Sequence, residues 1–101
     1  MVIVIVEVRV KEGAVDPVRD AIATMETESR KEPGCHTYAF STDINDPTMV
    51  RITELWQDRA ALEAHFGMPH MAEFSAALGQ LDVQSMDVRA HELGPEVPMP
   101  V

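Results

Sequence analysis

The sequence predicts an α+β fold, a four-stranded antiparallel sheet with two helices on one face. Three observations carry that expectation. The first ten residues are dense in β-branched side chains, two later stretches space their apolar residues at helical intervals, and a loop of turn formers divides two strand-like runs between them.

The opening strand runs through Met1-Val2-Ile3-Val4-Ile5-Val6. Val2, Val4, Val6, Val8 and Val10 share one parity, while Ile3 and Ile5 make the other face apolar before Glu7, Arg9 and Lys11 turn it polar. Such a run suits a strand covered on both sides. Asp16-Pro17 reads as an N-cap followed by proline at the first helical position, with Val18, Ala21, Ile22 and Met25 on one stripe. Pro33-Gly34 ends that helix. Two strands follow, about His36 to Thr42 and Met49 to Trp56, joined by Asp43-Ile44-Asn45-Asp46-Pro47. A hairpin centred on Asp46 sets Phe40 opposite Ile52, Tyr38 opposite Glu54 and His36 opposite Trp56. Asp58 caps a second helix with Leu62, His65 and Phe66 on one face. Gly67-Met68-Pro69 breaks it, and helix resumes with Met71, Phe74 and Leu78 inward. The last strand, about Val83 to Leu93, changes parity near Ser85-Met86, the mark of a bulge. Residues 1–93 thus form one domain, and 94–101 form a tail with three prolines that cannot pair as a central strand.

This order is the split βαβ pattern of ferredoxin-like folds. Two helices cover one face of such a sheet, and the other carries Ile3, Ile5, Ala39, Met49 and Leu55. At about 25 cal/mol per Å² of apolar area, leaving that face wet forfeits several kcal/mol, so a sheet-to-sheet homodimer is expected.

Composition narrows the function classes. Eight basic against 17 acidic residues give a formal charge of −9, which argues against nucleic-acid partners. One cysteine, Cys35, excludes an internal disulfide and fits a reducing compartment. The apolar start is too short to cross a bilayer, and without a basic start it does not resemble a signal peptide, so no membrane partner and a cytoplasmic location are expected.

The block Glu54-Leu55-Trp56, then Ala61-Leu62-Glu63-Ala64-His65, then Pro69-His70 and Phe74 resembles the antibiotic biosynthesis monooxygenase family, in particular members similar to quinol monooxygenases. Glu32-Pro33-Gly34-Cys35-His36-Thr37-Tyr38 is similar to the turn by which that family enters its second strand. The resemblance covers about residues 2 to 93. It implies a dimeric α+β barrel with one pocket per subunit, between helices and sheet. Some members of the family oxygenate hydroquinones or polycyclic aromatics without metal or flavin, others bind and degrade haem, and many have no assigned reaction.

On this resemblance the candidate catalytic residues are His65 and His70, either of which could serve as base. An imidazole, with an ordinary pKa of about 6.5, is suited to take a proton from a phenol near 10. The candidate substrate-binding residues are Trp56, Tyr38, Glu54, His36, Phe66 and Phe74. Each has a structural reading beside the functional one: Trp56 as core, His65 as a hydrogen-bonded buried histidine, Glu54 and Tyr38 as a satisfied pair. His65 and His70 stand five apart across a helix break, whereas helical metal pairs stand four apart, so no metal is expected. The expected activity is cofactor-independent oxidation of a hydroquinone or related aromatic by O₂ as co-substrate. The alternatives are a non-catalytic small-molecule binder or stress-associated dimer of the same fold, and a haem-binding or haem-degrading protein.

Overall fold

Five valines organise the sheet. Val2, Val4, Val6, Val8 and Val10 of β1 (Val2–Val10) are buried on one face, because successive side chains of a strand alternate. The structure, a computed structural model, describes residues 1–101. β1 is central and pairs antiparallel with β3 (Met49–Trp56) on one side and β4 (Val83–Glu92) on the other. β2 (Cys35–Thr42) adds to β3, giving the order β2-β3-β1-β4. Over the valine face lie α1 (Arg19–Arg30), α2 (Arg59–Phe66) and α3 (Pro69–Leu78). Their Met25 and Phe74 join the valines, Tyr38, Val50, Ile52 and Trp56 in a single core. Each fully buried aliphatic side chain contributes about 1.5–3 kcal/mol, so β1 is the element on which the fold most depends.

The second helical segment divides where Gly67-Met68-Pro69 is expected to break it, and Asp58 caps α2 by accepting a 2.8 Å hydrogen bond from the Ala61 N–H. Asp16 behaves differently from expectation. Asp16–Val18 form one 3₁₀ turn, α1 begins at Arg19, and the Asp16 carboxylate pairs with Arg19 at 2.8 Å instead of capping. Pro17, with its φ fixed, is accommodated in that tight turn before the α-helical ladder begins.

The hairpin register is as expected for Phe40 with Ile52 and Tyr38 with Glu54. It fails for His36: the pairing shifts between Cys35 and Thr37, Cys35 stands opposite Trp56, and His36 is exposed. The cause lies at Gly34, whose φ of 82° is left-handed and whose carbonyl accepts a 2.7 Å bond from the Gln57 N–H. A Cβ there would stand 2.8 Å from the Ala61 Cβ, so glycine lets the strand start press against α2. With that end pinned, the surplus residue is extruded as a bulge at His36.

Edge strand β2 is finished by α1. The Phe40 N–H donates to Glu26 at 2.8 Å, and Arg30 donates to the Tyr38 carbonyl at 2.8 Å. These bonds satisfy backbone groups that an edge would otherwise present to another chain. On the opposite edge β4 has its bulge at Gln84, since Arg9 faces Ser85 and Val10 faces Val83. Both faces of β4 are exposed, Met86 and Val88 among them, and residues 93–101 follow without regular structure. The open sheet face carries Ile3, Ile5, Met49 and Leu55 around an ion-pair network in which Arg51 meets Glu7 at 3.0 Å and Asp43 at 3.2 Å. No helix is long and apolar enough to cross a membrane.

Candidate functional site

The core is not uniformly apolar. Toward the end of the sheet where β1 begins, four of its buried groups are polar or charged: Ser29, Glu32, Glu54 and His65. Glu32 lies in the turn after α1, and His65 in the last turn of α2. The glycine at position 34 lets the two elements close on each other, which brings residues 33 positions apart into contact.

Glu32 joins both candidate histidines. Its Oε2 lies 2.6 Å from His65 Nδ1 and 2.8 Å from His70 Nε2. An ionised carboxylate only accepts, so these partners assign the ring protons to Nδ1 of His65 and Nε2 of His70. That leaves Nε2 of His65 and Nδ1 of His70 as the lone-pair atoms. Such a carboxylate fixes the tautomer of its imidazoles and stabilises the imidazolium formed on proton uptake.

The two histidines differ in access. The His65 ring is sealed, with centroids 4.8 Å from Trp56 and 5.4 Å from Tyr38. His70 is half-buried at the start of α3 and lines an open groove of about 510 Å³ together with Glu32, Pro33, Met68 and Pro69. It also lines a smaller cavity of about 130 Å³ between α1 and α3, where Asp20, Thr24 and Glu73 stand beside Met25 and Phe74.

Glu54 is buried on β3, and the Trp56 indole N–H donates to its Oε1 at 3.0 Å. The expected Tyr38–Glu54 hydrogen bond is replaced by this one, because residues two apart on a strand share a face. Burial pushes the Glu54 carboxyl above its ordinary value; the indole bond and His65 pull it partly back. Tyr38 is pushed up, first by burial and then by Glu54, so its hydroxyl keeps its proton. The Cys35 thiol is raised by burial and by Glu32 and Glu54, which makes it a poor nucleophile.

Of the residues expected around the pocket, the structure gathers His65, His70, Tyr38, Glu54 and Trp56 at one end of the core. Phe74 is buried further along, edge-on to Phe40 at 5.3 Å. Two residues are turned outward, although the Phe66 ring still meets His65 edge-on at 5.7 Å. His36 is outside on its bulge, and Phe66 is 62% exposed, turned to a second groove between α2 and the start of β1 and end of β4. Between helices and sheet the space is filled; what remains over the apolar end is a cavity of about 30 Å³. The residue that sequence reasoning missed is Glu32. The available signal was its place at the head of Glu32-Pro33-Gly34-Cys35, where it is the one acid in a turn that must close on a helix.

The family model described as "Antibiotic biosynthesis monooxygenase" matches residues 1–77. An Escherichia coli protein named "Probable quinol monooxygenase YgiN" is 34% identical, the match covering 93% of this chain and 99% of that protein. A Synechocystis protein is 32% identical over 64% of this chain but only 44% of its own length. Among solved structures, a Deinococcus radiodurans protein named for the same family superposes with a TM-score of 0.88 at 26% identity, covering 98% of each chain. Rv0793 of Mycobacterium tuberculosis superposes with a TM-score of 0.83 at 26% identity, over 96% of this chain and 98% of that one.

Proposed function

The chain belongs to the antibiotic biosynthesis monooxygenase family, and from that premise we propose that it oxidises a hydroquinone or a similar phenolic ring with O₂, using no metal or flavin. The observation that carries this reading is the Glu32 carboxylate between two imidazoles, one of them at a groove. The name of the Escherichia coli relative supports the substrate class.

In the proposed mechanism His70 is the base and His65 the buried anchor. The substrate hydroxyl gives its proton to Nδ1 of His70, and Glu32 stabilises the imidazolium through the Nε2–H bond of 2.8 Å. The phenolate then passes one electron to O₂, giving a semiquinone and superoxide. Their recombination forms a C–O bond, and loss of water from the peroxide breaks the O–O bond. Hydroquinone plus O₂ thereby yields hydroxyquinone plus water. The electrons come from the substrate; the protein contributes the base and its orientation at the groove. Turnover under isotopically heavy O₂ tests this reading: label in the product supports it. Ligand-induced thermal stabilisation with no labelled product would replace it with a non-catalytic binding role.

We infer further that the working form is a homodimer joined through the open sheet face. Ile5 is 41% exposed at the centre of that face, with Ile3, Met49 and Leu55 half-buried around it. Sedimentation should give twice the 11.2 kDa chain mass, and Ile5→Arg should shift it to the monomer.

A further inference from the structure

Three donor atoms meet in the turn after α1. Glu32 Oε2, His65 Nδ1 and His70 Nε2 all lie within 4.8 Å of one another. A second observation points to a ligand. Glu32 Oε1 has no hydrogen-bond partner, although the side chain is only 5% exposed. A buried carboxylate oxygen without a donor is costly, and a cation beside it removes that cost.

We propose that Glu32, His65 and His70 form a binding site for a divalent transition ion of the zinc class. Two imidazoles and one carboxylate are the donor set of such ions, whereas Mg²⁺ and Ca²⁺ take oxygen ligands in larger number. Three protein ligands leave a fourth position for water on the groove side, where His70 and Glu32 line the opening. Ligands about 2.0–2.2 Å from a tetrahedral ion stand roughly 3.3 Å from each other. The present separations of 2.6 and 2.8 Å therefore open by about half an ångström or slightly more, and the two histidine nitrogens, within 4.8 Å of each other, settle to the same spacing. His70, with a side chain 12% exposed against 2% for His65, has the more room for that adjustment. The five-residue spacing of the histidines does not oppose this, because the break at Met68-Pro69 turns the second ring onto the same carboxylate.

An ion on Nε2 of His70 obliges the neutral ring to carry its proton on Nδ1, the atom assigned above to the base. Occupancy thus silences the base, a consequence that rests on the proposed function, while the binding itself does not. Metal-stripped protein titrated with cobalt chloride tests the site directly, through the visible d–d absorption of tetrahedral cobalt and through its displacement by zinc. The expected result is one ion per chain, with the bands absent in Glu32→Gln and His70→Gln variants whose circular dichroism is native. Absence of the bands in the wild type, or their persistence in either variant, would overturn the site. Oxygen uptake that falls in step with cobalt occupancy supports the silencing, and uptake unchanged at full occupancy overturns it.

Discussion

The two ends of one core contrast sharply, although the same sheet and helices build both. At one end Val8, Val10, Ile22, Phe40, Ile52, Phe74 and Leu78 leave an all-apolar cavity of about 30 Å³. At the other, Glu32, Glu54, His65, Trp56 and Tyr38 are as deeply buried, yet two carboxylates and an imidazole sit among the rings. An apolar filling would stabilise the second end more simply, since buried charges are costly to desolvate. The first end thus holds the fold together, and the second carries the groups to which the proposed function assigns the chemistry.

Substitutions at the two ends should therefore separate activity from stability. His70→Ala should lower kcat by about 10²–10⁴-fold, the usual contribution of a positioned base, while the protein stays folded. Steady-state kinetics beside circular dichroism checks this. Ile52→Ala, at the apolar end, should cost about 2–5 kcal/mol in urea unfolding and leave kcat per folded molecule unchanged. Glu32→Gln should cost about 1–3 kcal/mol, by replacing charge-assisted bonds with neutral ones, and should also slow turnover. If it altered stability alone, Glu32 would belong with the apolar end in purpose.

The smallest effect is a pH dependence. Because Glu54 has a raised pKa in the folded protein, the folded state binds more protons than the unfolded state just above the ordinary glutamate value. Stability should therefore fall as pH rises through that window, and Glu54→Gln should flatten this slope in denaturant midpoints measured across it.

Much of the apolar end was legible in the sequence, because alternation in β1 and helical spacing in α1 are local patterns. The Tyr38–Glu54 and Phe40–Ile52 pairs followed from the hairpin loop alone. The polar end was legible in its residue types but not in its wiring. Glu32 meets partners 33 and 38 positions away, through a contact that depends on the left-handed turn at Gly34. No periodicity reports such a contact. His36 was misplaced because one bulge inverts parity, and Phe66, expected inward, is the last residue of α2 and lies exposed along the groove beside β1 and β4. Phe66 shares the groove-facing side of α2 with Arg59 and Leu62, while His65, one position back, turns inward.

The proposed function stands on the Glu32-bridged His70 acting as a base in a reaction with O₂. Oxygen uptake by metal-stripped protein, wild type beside His70→Ala, across a small panel of hydroquinones measures it most directly. The wild type should show uptake above substrate autoxidation and a product with one added oxygen atom, and the variant should lose both. Uptake equal in the two proteins, or none above autoxidation in either, would contradict it.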